Sequence, residues 1–257
     1  MRFKINFSFD GKKFFGSQKQ IGKRTIQGEL ERALSEFFDE SITITMSGRT
    51  DAGVSAIKQI AHFDIDENSF YKIIGSTSKK DLRSFVIRLN YILNEDIKIC
   101  DINFVNEDFH ARFDAKVKTY FYNFYISEIE IPYLSRFCLW VKTKEIDVSK
   151  IKTALKYLIG QHDFSAFCAS GSEVQDKIRE IYEADIIYNE LGFYSIKLKG
   201  NGFLYNMVRI IVGTMLEIGF GKREVSSIEK LFVNPSRADA GKTVSSVGLV
   251  LKDIETK

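Results

Sequence analysis

The order of hydrophobic periodicities in the first 105 residues restricts the fold more than any other feature of this 257-residue chain. Four segments alternate apolar and polar residues, which predicts strands at 2–9, 42–46, 57–65 and 97–105. Two segments carry apolar residues at helical spacing, 25–38 behind Thr25 and 81–93 behind Asp81 as N-caps. The order strand, helix, strand, strand, helix, strand is that of a ferredoxin-like unit.

The remainder of the chain predicts the same theme with insertions. Strands are expected at 118–126, 136–142, 178–188 and 193–199 and within 243–254, and helices at 147–160, 202–218 and 224–232. We therefore predict an α+β fold of two ferredoxin-like (β-α-β-β-α-β) halves, residues 1–104 and 105–257, around a central cleft.

Composition excludes several classes of protein. With 44% hydrophobic residues and two prolines, the chain can bury a sizeable core and shows no low-complexity linker. The N-terminus lacks the apolar run of a signal peptide, and Asn206, Arg209 and Glu217 interrupt the longest apolar stretch, which argues against a membrane span. The three cysteines and three histidines are scattered, so we predict reduced thiols, no metal site and a cytoplasmic location.

Positive charge is concentrated at the N-terminus. The formal net charge of the chain is +3, whereas residues 1–24 hold seven lysines and arginines and a single aspartate, a net charge of +6. Together with the neighbouring Phe14, Phe15 and Gln18, these cations predict a surface that attracts a polyanion and contacts bases. An ordinary solvated basic face is the alternative.

The segment SGRTDAGVSA, residues 47–56, presents one carboxylate, Asp51, among small residues. Gly48 and Gly53 bracket it, which indicates a backbone conformation that a Cβ would oppose or a close approach by another group. The same residue types also form ordinary turns. The segment connects the second and third predicted strands, so Asp51 is a candidate for chemistry and an ordinary turn is the alternative.

Two further side chains are candidates for a site. On the predicted helix at 202–218, Arg209 shares a stripe with Gly202, Asn206 and Gly213, which suggests an arginine held where backbone or ligand comes close. A surface arginine on an amphipathic helix is the alternative. Tyr120 lies in an aromatic strand, where rings can stack on bases or simply fill the core.

One apparent phosphate-binding motif is rejected. The segment SRADAGKTV, residues 236–244, ends in Gly-Lys-Thr, but Ser236 stands where the first glycine is needed. A strand rather than a helix is predicted to follow it. Without a strand, a loop and a helix in succession the amides cannot cradle a phosphate, so nucleotide hydrolysis is excluded on this signal.

Several collinear segments together resemble one family. They are FDGKKFFGSQKQ, TIQGELERAL, SGRTDAGVSA, FHARFDAKVKTYFYNFY, GQHDFSAF, NGFLYNMVRIIVG and AGKTVSSVGLVL, and they cover nearly the whole chain. With G-R-T-D-A-G-V as the most specific part, they resemble the tRNA pseudouridine synthase A family, enzymes that isomerise uridines at positions 38–40 of the tRNA anticodon arm. The family's fold is two ferredoxin-like halves around a basic cleft.

The resemblance implies a role for each candidate residue. Asp51 matches the family's nucleophilic aspartate, Tyr120 the tyrosine that stacks on the target base, and Arg209 the arginine that pairs with the aspartate. Arg49 matches an arginine that helps hold the uridine out of the helix stack. Two positions depart from the family: Ser55 replaces a usual histidine and Ser17 a usual tryptophan, and neither departure touches a residue assigned to chemistry.

The implied reaction suits a single carboxylate. Moving a uracil ring from an N–C to a C–C bond on the same ribose needs neither redox chemistry nor an external reactant, so no cofactor and no metal are expected. An aspartate can act as nucleophile or remove a ribose proton, and both routes remain open. The resemblance also implies tRNA as partner and a homodimer. Alternatives are the same chemistry on another RNA, and a non-catalytic RNA-binding or chaperone protein of this fold.

Overall fold

A computed structural model describes residues 1–172 and 174–257. Within these residues the strands are β1 (Arg2–Phe9), β2 (Ile44–Met46), β3 (Ser55–Asp64), β4 (Ile97–Val105), β5 (Ala115–Ser127), β6 (Leu139–Lys142), β7 (Gly160–Asp163), β8 (Ile178–Asn189), β9 (Phe193–Gly200) and β10 (Leu249–Thr256). The helices are α1 (Ile26–Phe38), α2 (Glu67–Ile74), α3 (Lys79–Ile92), α4 (Ala111–Asp114), α5 (Val148–Lys156), α6 (Met207–Gly219) and α7 (Ser227–Val233). The predicted α+β class is confirmed.

The chain divides into two compact units. The first unit comprises Met1–Lys116 together with Leu251–Lys257, and the second comprises Val117–Val250. The sequence-based boundary between residues 104 and 105 differs from this division, because the first unit extends twelve residues further and also holds most of the last strand. The predicted halves themselves stay a prediction as domains.

Specific contacts explain where the first unit ends. The Arg2 guanidinium donates to the carbonyl oxygen of Phe109 at 2.9 Å, and the amide of Ala111 donates to Nδ1 of His62 at 3.1 Å. These bonds bind the segment after β4 to β1 and β3. Strand β10 lies beside β3, and Lys58 on β3 forms an ion pair with Asp253 on β10 at 2.7 Å. Long-range pairing of this kind leaves no local signal in the sequence.

The first unit follows its sequence periodicity closely. Its strands lie in the order β4-β1-β3-β10, with β2 beside β3, and the pairs among β1 to β4 are antiparallel. Alternate residues of β1 are buried, as a period of two requires when one face packs on a core. Helix α1 buries its apolar stripe and begins at the predicted cap, where the Thr25 hydroxyl accepts from the amide of Gly28 at 3.2 Å.

Helices α2 and α3 of the first unit differ from the sequence prediction. Helix α3 begins earlier than expected, and its cap is Ser78 rather than Asp81: the Ser78 hydroxyl accepts from the amide of Asp81 at 3.2 Å. Helix α2, behind Asp66, was not predicted. The N-caps of both helices lie in a polar region where several neighbouring residues could serve as the cap, so the first residue of each helix is hard to predict.

In the second unit, strands lie in the order β5-β9-β8-β7, with β6 parallel to β5. Helix α5 contacts α6 and β8. Most residues of α6 are buried, as expected of a helix that is apolar on nearly every side. Strand β7 was not predicted. It has four residues, which pair with β8, and an alternation of apolar and polar residues cannot be recognised over so short a segment.

Among the described helices, none combines the length and the apolar character needed to cross a bilayer.

Candidate active site

The loop that presents Asp51, residues 47–54, connects β2 to β3. It is called the catalytic loop for the role proposed for Asp51. At its start, the amide of Ser47 donates to the carbonyl oxygen of Ile60 at 2.9 Å, and the Ser47 hydroxyl bonds Oε1 of Gln59. The side-chain amide nitrogen Nε2 of Gln59 also donates to the carbonyl oxygen of Gly48 at 3.3 Å. The first residues of the loop are therefore fixed to the buried side chain of Gln59 on β3.

The centre of the loop is a tight turn around Asp51. The amide of Val54 donates to the carbonyl oxygen of Asp51 at 3.2 Å, and Gly53 has a φ of +79°, which a residue with a Cβ rarely adopts. Asp51 is half-buried, whereas Arg49 is exposed. The predicted conformational demand on glycine is thus confirmed at Gly53. Gly48 is outside the set of glycines with positive φ.

A second segment forms hydrogen bonds with this loop and with the start of β3. Residues 11–17, here called the support segment, follow β1. The hydroxyl of Ser17 accepts from the amide of Thr50 at 2.8 Å, and the amide of Ser17 donates back to the carbonyl oxygen of Thr50 at 3.0 Å. The hydroxyl of Ser55 accepts from the amide of Gly11 at 3.0 Å. The two serines that depart from the family pattern therefore both bond across these segments, which sequence reasoning missed.

Tyr120 lies on β5 in the second unit, opposite Leu198 on β9. Its side chain is 9% exposed and meets the ring of Phe203 edge-on, with 5.1 Å between the ring centroids. Tyr122 and Phe124, on the same face of the strand, are fully buried. These two rings belong to the core, so only Tyr120 of this row stands at the margin of the buried region.

Arg209 lies on the first turns of α6, also in the second unit. Its Nε donates to the carbonyl oxygen of Val244 at 2.7 Å, and Nη1 donates to Oδ1 of Asn206 at 2.6 Å. Asn206 has a φ of +58°, so the helix begins only at Met207 and not at residue 202 as predicted. Gly202 is therefore outside the helix, and only part of the predicted stripe exists.

The rejected phosphate-loop motif has a packing role instead. A Cβ on Gly213 would lie 1.9 Å from the carbonyl oxygen of Lys242, and a Cβ on Gly241 would lie 2.4 Å from the amide nitrogen of Thr214. The hydroxyl of Thr214 accepts from the amide of Gly241 at 2.9 Å. The glycines let α6 and residues 240–244 approach backbone to backbone, so the close approach predicted near Arg209 is by the protein's own chain.

Three of the seven N-terminal cations form ion pairs within the first unit. Arg2 forms a two-pronged ion pair with Asp64, Arg24 one with Asp96, and these guanidinium groups lower the pKa of both aspartates. Lys19 pairs with Glu31 at 2.8 Å. The predicted polyanion surface is thus reduced in charge, which the sequence count could not reveal because the partners are distant in sequence.

The part of the predicted polyanion surface that stays exposed is smaller than the sequence indicated. Phe14 is buried under the guanidinium of Arg24 and cannot contact a base, whereas Phe15 is 52% exposed and carries the ammonium of Lys23 over its ring at 4.5 Å. The exposed side chains of Lys12 and Lys13 lie on the same support segment.

Each of the two units contains two of the four predicted site residues. Asp51 and Arg49 share the catalytic loop of the first unit, and Tyr120 and Arg209 belong to the second. The predicted pairing of Arg209 with Asp51 stays a prediction. Over residues 1–172 and 174–257, no group of three or more His, Cys, Asp or Glu side chains is arranged to hold a metal ion.

Comparison with known proteins gives the class. A family model described as tRNA pseudouridine synthase matches residues 5–114 and 154–256, which include both the catalytic loop and α6. The class that this match defines is that of the pseudouridine synthases, which are isomerases. The chain belongs to the tRNA pseudouridine synthase family, and the resemblance seen in its sequence is confirmed.

Curated relatives match over nearly their whole length, and each of the following is named tRNA pseudouridine synthase A. The chain is 44% identical to that of Geobacillus sp. (strain WCH70) over 97% of this chain and 96% of the relative. It is 41% identical to that of Shouchella clausii over 99% and 93%, and 40% identical to that of Bacillus licheniformis over 98% and 97%.

Proposed function

We propose that this isomerase converts uridines at positions 38–40 of the tRNA anticodon arm to pseudouridine, with Asp51 as its essential carboxylate. The observation that carries the proposal is the catalytic loop: a half-buried aspartate at the centre of a turn whose neighbours are hydrogen-bonded on both sides. A side chain presented this rigidly suits a reaction at one fixed carbon atom. The names of the relatives support tRNA as the substrate, and positions 38–40 come from the family resemblance of the sequence.

The reaction needs little more than one such group. The bond from the ribose C1′ to N1 of uracil breaks and a bond from C1′ to C5 forms, while C5 loses a proton and N1 gains one, so the formula is unchanged. Asp51 either attacks C1′ or removes a ribose proton, and in both routes the detached base returns to the same sugar. No oxidant, reductant or added nucleophile takes part, so we propose that neither cofactor nor metal is required.

The remaining site residues would bind the substrate. The target base must leave the anticodon-arm stack, at a cost of a few kcal/mol. Stacking on Tyr120 would offset part of this, because aromatic stacking contributes about 1–3 kcal/mol per base. The exposed Arg49 would contact the displaced nucleotide, and Arg209 would pair with Asp51. We further propose that the protein is cytoplasmic, as its scattered cysteines indicate, and that it acts as a homodimer, as the family resemblance implies.

The direct test uses unmodified tRNA transcripts and purified protein. Wild type should form pseudouridine in transcripts with uridine at positions 38–40 and none when cytidine occupies those positions. Asp51→Asn should form no product while its tRNA Kd stays within a few-fold of wild type. The matched control is Asp108→Asn, which alters an exposed loop aspartate of the same unit and should keep the wild-type rate.

Three outcomes contradict the proposal. Product formation by Asp51→Asn would exclude Asp51 as the essential group. Pseudouridine elsewhere in the tRNA or in another RNA would keep the chemistry and reject the target. Tight tRNA binding by wild type with no product from any RNA would favour the non-catalytic alternative.

A further inference from the structure

The catalytic loop and the support segment lie so close that no side chain fits between them. A Cβ on Gly11 would lie 2.0 Å from the carbonyl oxygen of Val54, and one on Gly16 would lie 3.0 Å from the carbonyl oxygen of Thr50. Gly16 also has a φ of +91°, so glycine is required there for its conformation as well. The backbone on either side of Asp51 therefore rests directly on another stretch of backbone.

Two serine hydroxyls join these backbones, one next to Asp51 and one at the end of the loop that enters β3. Ser17 accepts from the amide of Thr50, immediately before Asp51, and Ser55 accepts from the amide of Gly11 where the loop enters β3. We propose that Ser17 and Ser55 are positioning residues that hold the catalytic loop, and through it Asp51, in the geometry the reaction needs. The inference rests on the proposed function, since it assigns these residues to the step that Asp51 performs.

Ser17 carries most of this role because its surroundings offer no replacement for its hydroxyl. The residue is fully buried, so water cannot take over the bond to the amide of Thr50. The bond is also reciprocal, since the carbonyl oxygen of Thr50 accepts from the amide of Ser17. Ser17 thereby bonds both main-chain polar groups of Thr50, the N–H of the peptide before it and the C=O of the peptide that joins it to Asp51.

The support segment is in turn anchored to a rigid element. The carbonyl oxygens of Gly16 and Ser17 accept from the amides of Ile26 and Gln27, at 3.3 Å and 2.9 Å. These amides belong to the first turn of α1, whose N-terminal donors have no partner within the helix. Main-chain hydrogen bonds thus connect α1 to the support segment and the support segment to Thr50, the residue before Asp51.

Removing the Ser17 hydroxyl should therefore loosen the loop without removing any group that contacts RNA. Catalysis depends on a well-aligned reacting group, and a misplacement of about 1 Å can cost roughly 10²-fold in rate. Binding of tRNA depends on contacts spread over a large surface and should change little. The expected signature is a loss of rate at unchanged affinity.

The experiment measures the single-turnover rate constant, the tRNA Kd and the melting temperature for Ser17→Ala, Ser17→Thr and Ser55→Ala. Ser17→Ala should lose about 10- to 100-fold in rate with Kd unchanged, and Ser17→Thr, which keeps the hydroxyl, should recover most of it. The matched control is Ser35→Ala: the Ser35 hydroxyl also accepts from a main-chain amide of this unit, that of Ile42 at 2.9 Å. This control should keep the wild-type rate.

The inference is overturned if Ser17→Ala folds with a wild-type rate, if Ser35→Ala loses as much rate as Ser17→Ala, or if Kd weakens by the same factor as the rate. Should Ser17→Ala fail to fold, Ser55→Ala decides, because Ser55 is only half-buried and its loss spares the buried bond. Inactivity of wild type would defeat the proposed function. An active wild type, an inactive Asp51→Asn and a fully active Ser17→Ala would defeat this inference alone.

Discussion

Arg209 and Val244 bind each other through both side chain and backbone. Nε of Arg209 donates to the carbonyl oxygen of Val244 at 2.7 Å, and the amide of Val244 points back at the carbonyl oxygen of Arg209 at 3.5 Å. The bond from Nη1 to Asn206 adds a second fixed point, so the plane of the guanidinium is oriented by Val244 and Asn206.

We expect Arg209→Lys to lose activity although it keeps the charge. A single ammonium cannot reproduce the planar arrangement of donors toward Val244 and Asn206, so the cation would no longer be oriented. Arg209→Leu should lose more, and each acceptor left without a donor should cost about 1–3 kcal/mol of unfolding free energy. Single-turnover rates and urea titrations test this, and wild-type rate and stability in Arg209→Leu would contradict it.

Tyr120 and Tyr122 should respond differently to the same change. Tyr120→Phe should keep measurable product, because stacking needs only the ring face, and Tyr120→Leu should lose more. Tyr122→Phe removes a hydroxyl that donates to the carbonyl oxygen of Ser245 at 2.7 Å, so it should lower the melting temperature. Pseudouridine assays and melting curves on all three variants decide. An inactive Tyr120→Phe that folds normally would mean that its hydroxyl takes part in proton transfer.

Gly213 should be intolerant of alanine. Its Cβ would lie 1.9 Å from the carbonyl oxygen of Lys242, so main chain must move, and we expect a loss of about 1–3 kcal/mol of unfolding free energy. Gly202→Ala is the matched control, since its nearest neighbour, Nε of Arg179, would lie 3.6 Å away, an ordinary contact. Thermal unfolding compares the two, and equal stability of both variants would show that α6 and residues 240–244 can separate at little cost.

The first unit contains a histidine that is held neutral. His62 lies on β3 and is buried, and its Nδ1 accepts from the amide of Ala111 at 3.1 Å. Burial, with smaller contributions from the positive charges of Arg2 and His110, lowers the pKa of His62 from 6.5 to about 4. Above pH 6.5 neither the folded nor the unfolded chain binds this proton. Between pH 6.5 and 4 the unfolded chain binds it and the folded chain does not.

The free energy of unfolding should therefore fall as the pH drops from 6.5 to 4, by at most about 1.4 kcal/mol per pH unit from this group. His62→Asn keeps an acceptor for the amide of Ala111 but cannot take up a proton, so it should flatten that slope. Urea titrations of both proteins at constant ionic strength measure the difference. Parallel stability curves would exclude His62 as the source.

The elements that follow from the sequence are those defined by neighbouring residues. The period of two in β1 and the apolar stripe of α1 behind Thr25 each depend on residues within a few positions of one another. The identity of Asp51, Tyr120 and Arg209 as candidates came from the same local patterns combined with the family resemblance. Their roles await the experiments above.

What sequence could not supply depends on pairs far apart in the chain. Ser17 bonds a residue 33 positions away, Ser55 one 44 positions away and Arg209 one 35 positions away, and none of these pairs has a spacing that periodicity can detect. The predicted start of α6 at residue 202 was wrong because Asn206 adopts a left-handed conformation, which the spacing of apolar residues does not reveal, so the helix begins only at Met207. The ion pairs of Arg2 and Arg24 were missed because their partners, Asp64 and Asp96, are also distant in sequence.

The position of β10 bears on how the nascent chain folds. This strand completes the first unit beside β3, yet the ribosome adds it only after all of the second unit. Apart from the three residues paired with β2, that edge of β3 therefore stays open during most of translation. Exposed strand edges attract non-native partners. The unit that carries Asp51 is therefore prone to aggregation until β10 has been synthesised. Vectorial synthesis thus brings the unit that carries Asp51 to completion last, although most of its residues emerge first.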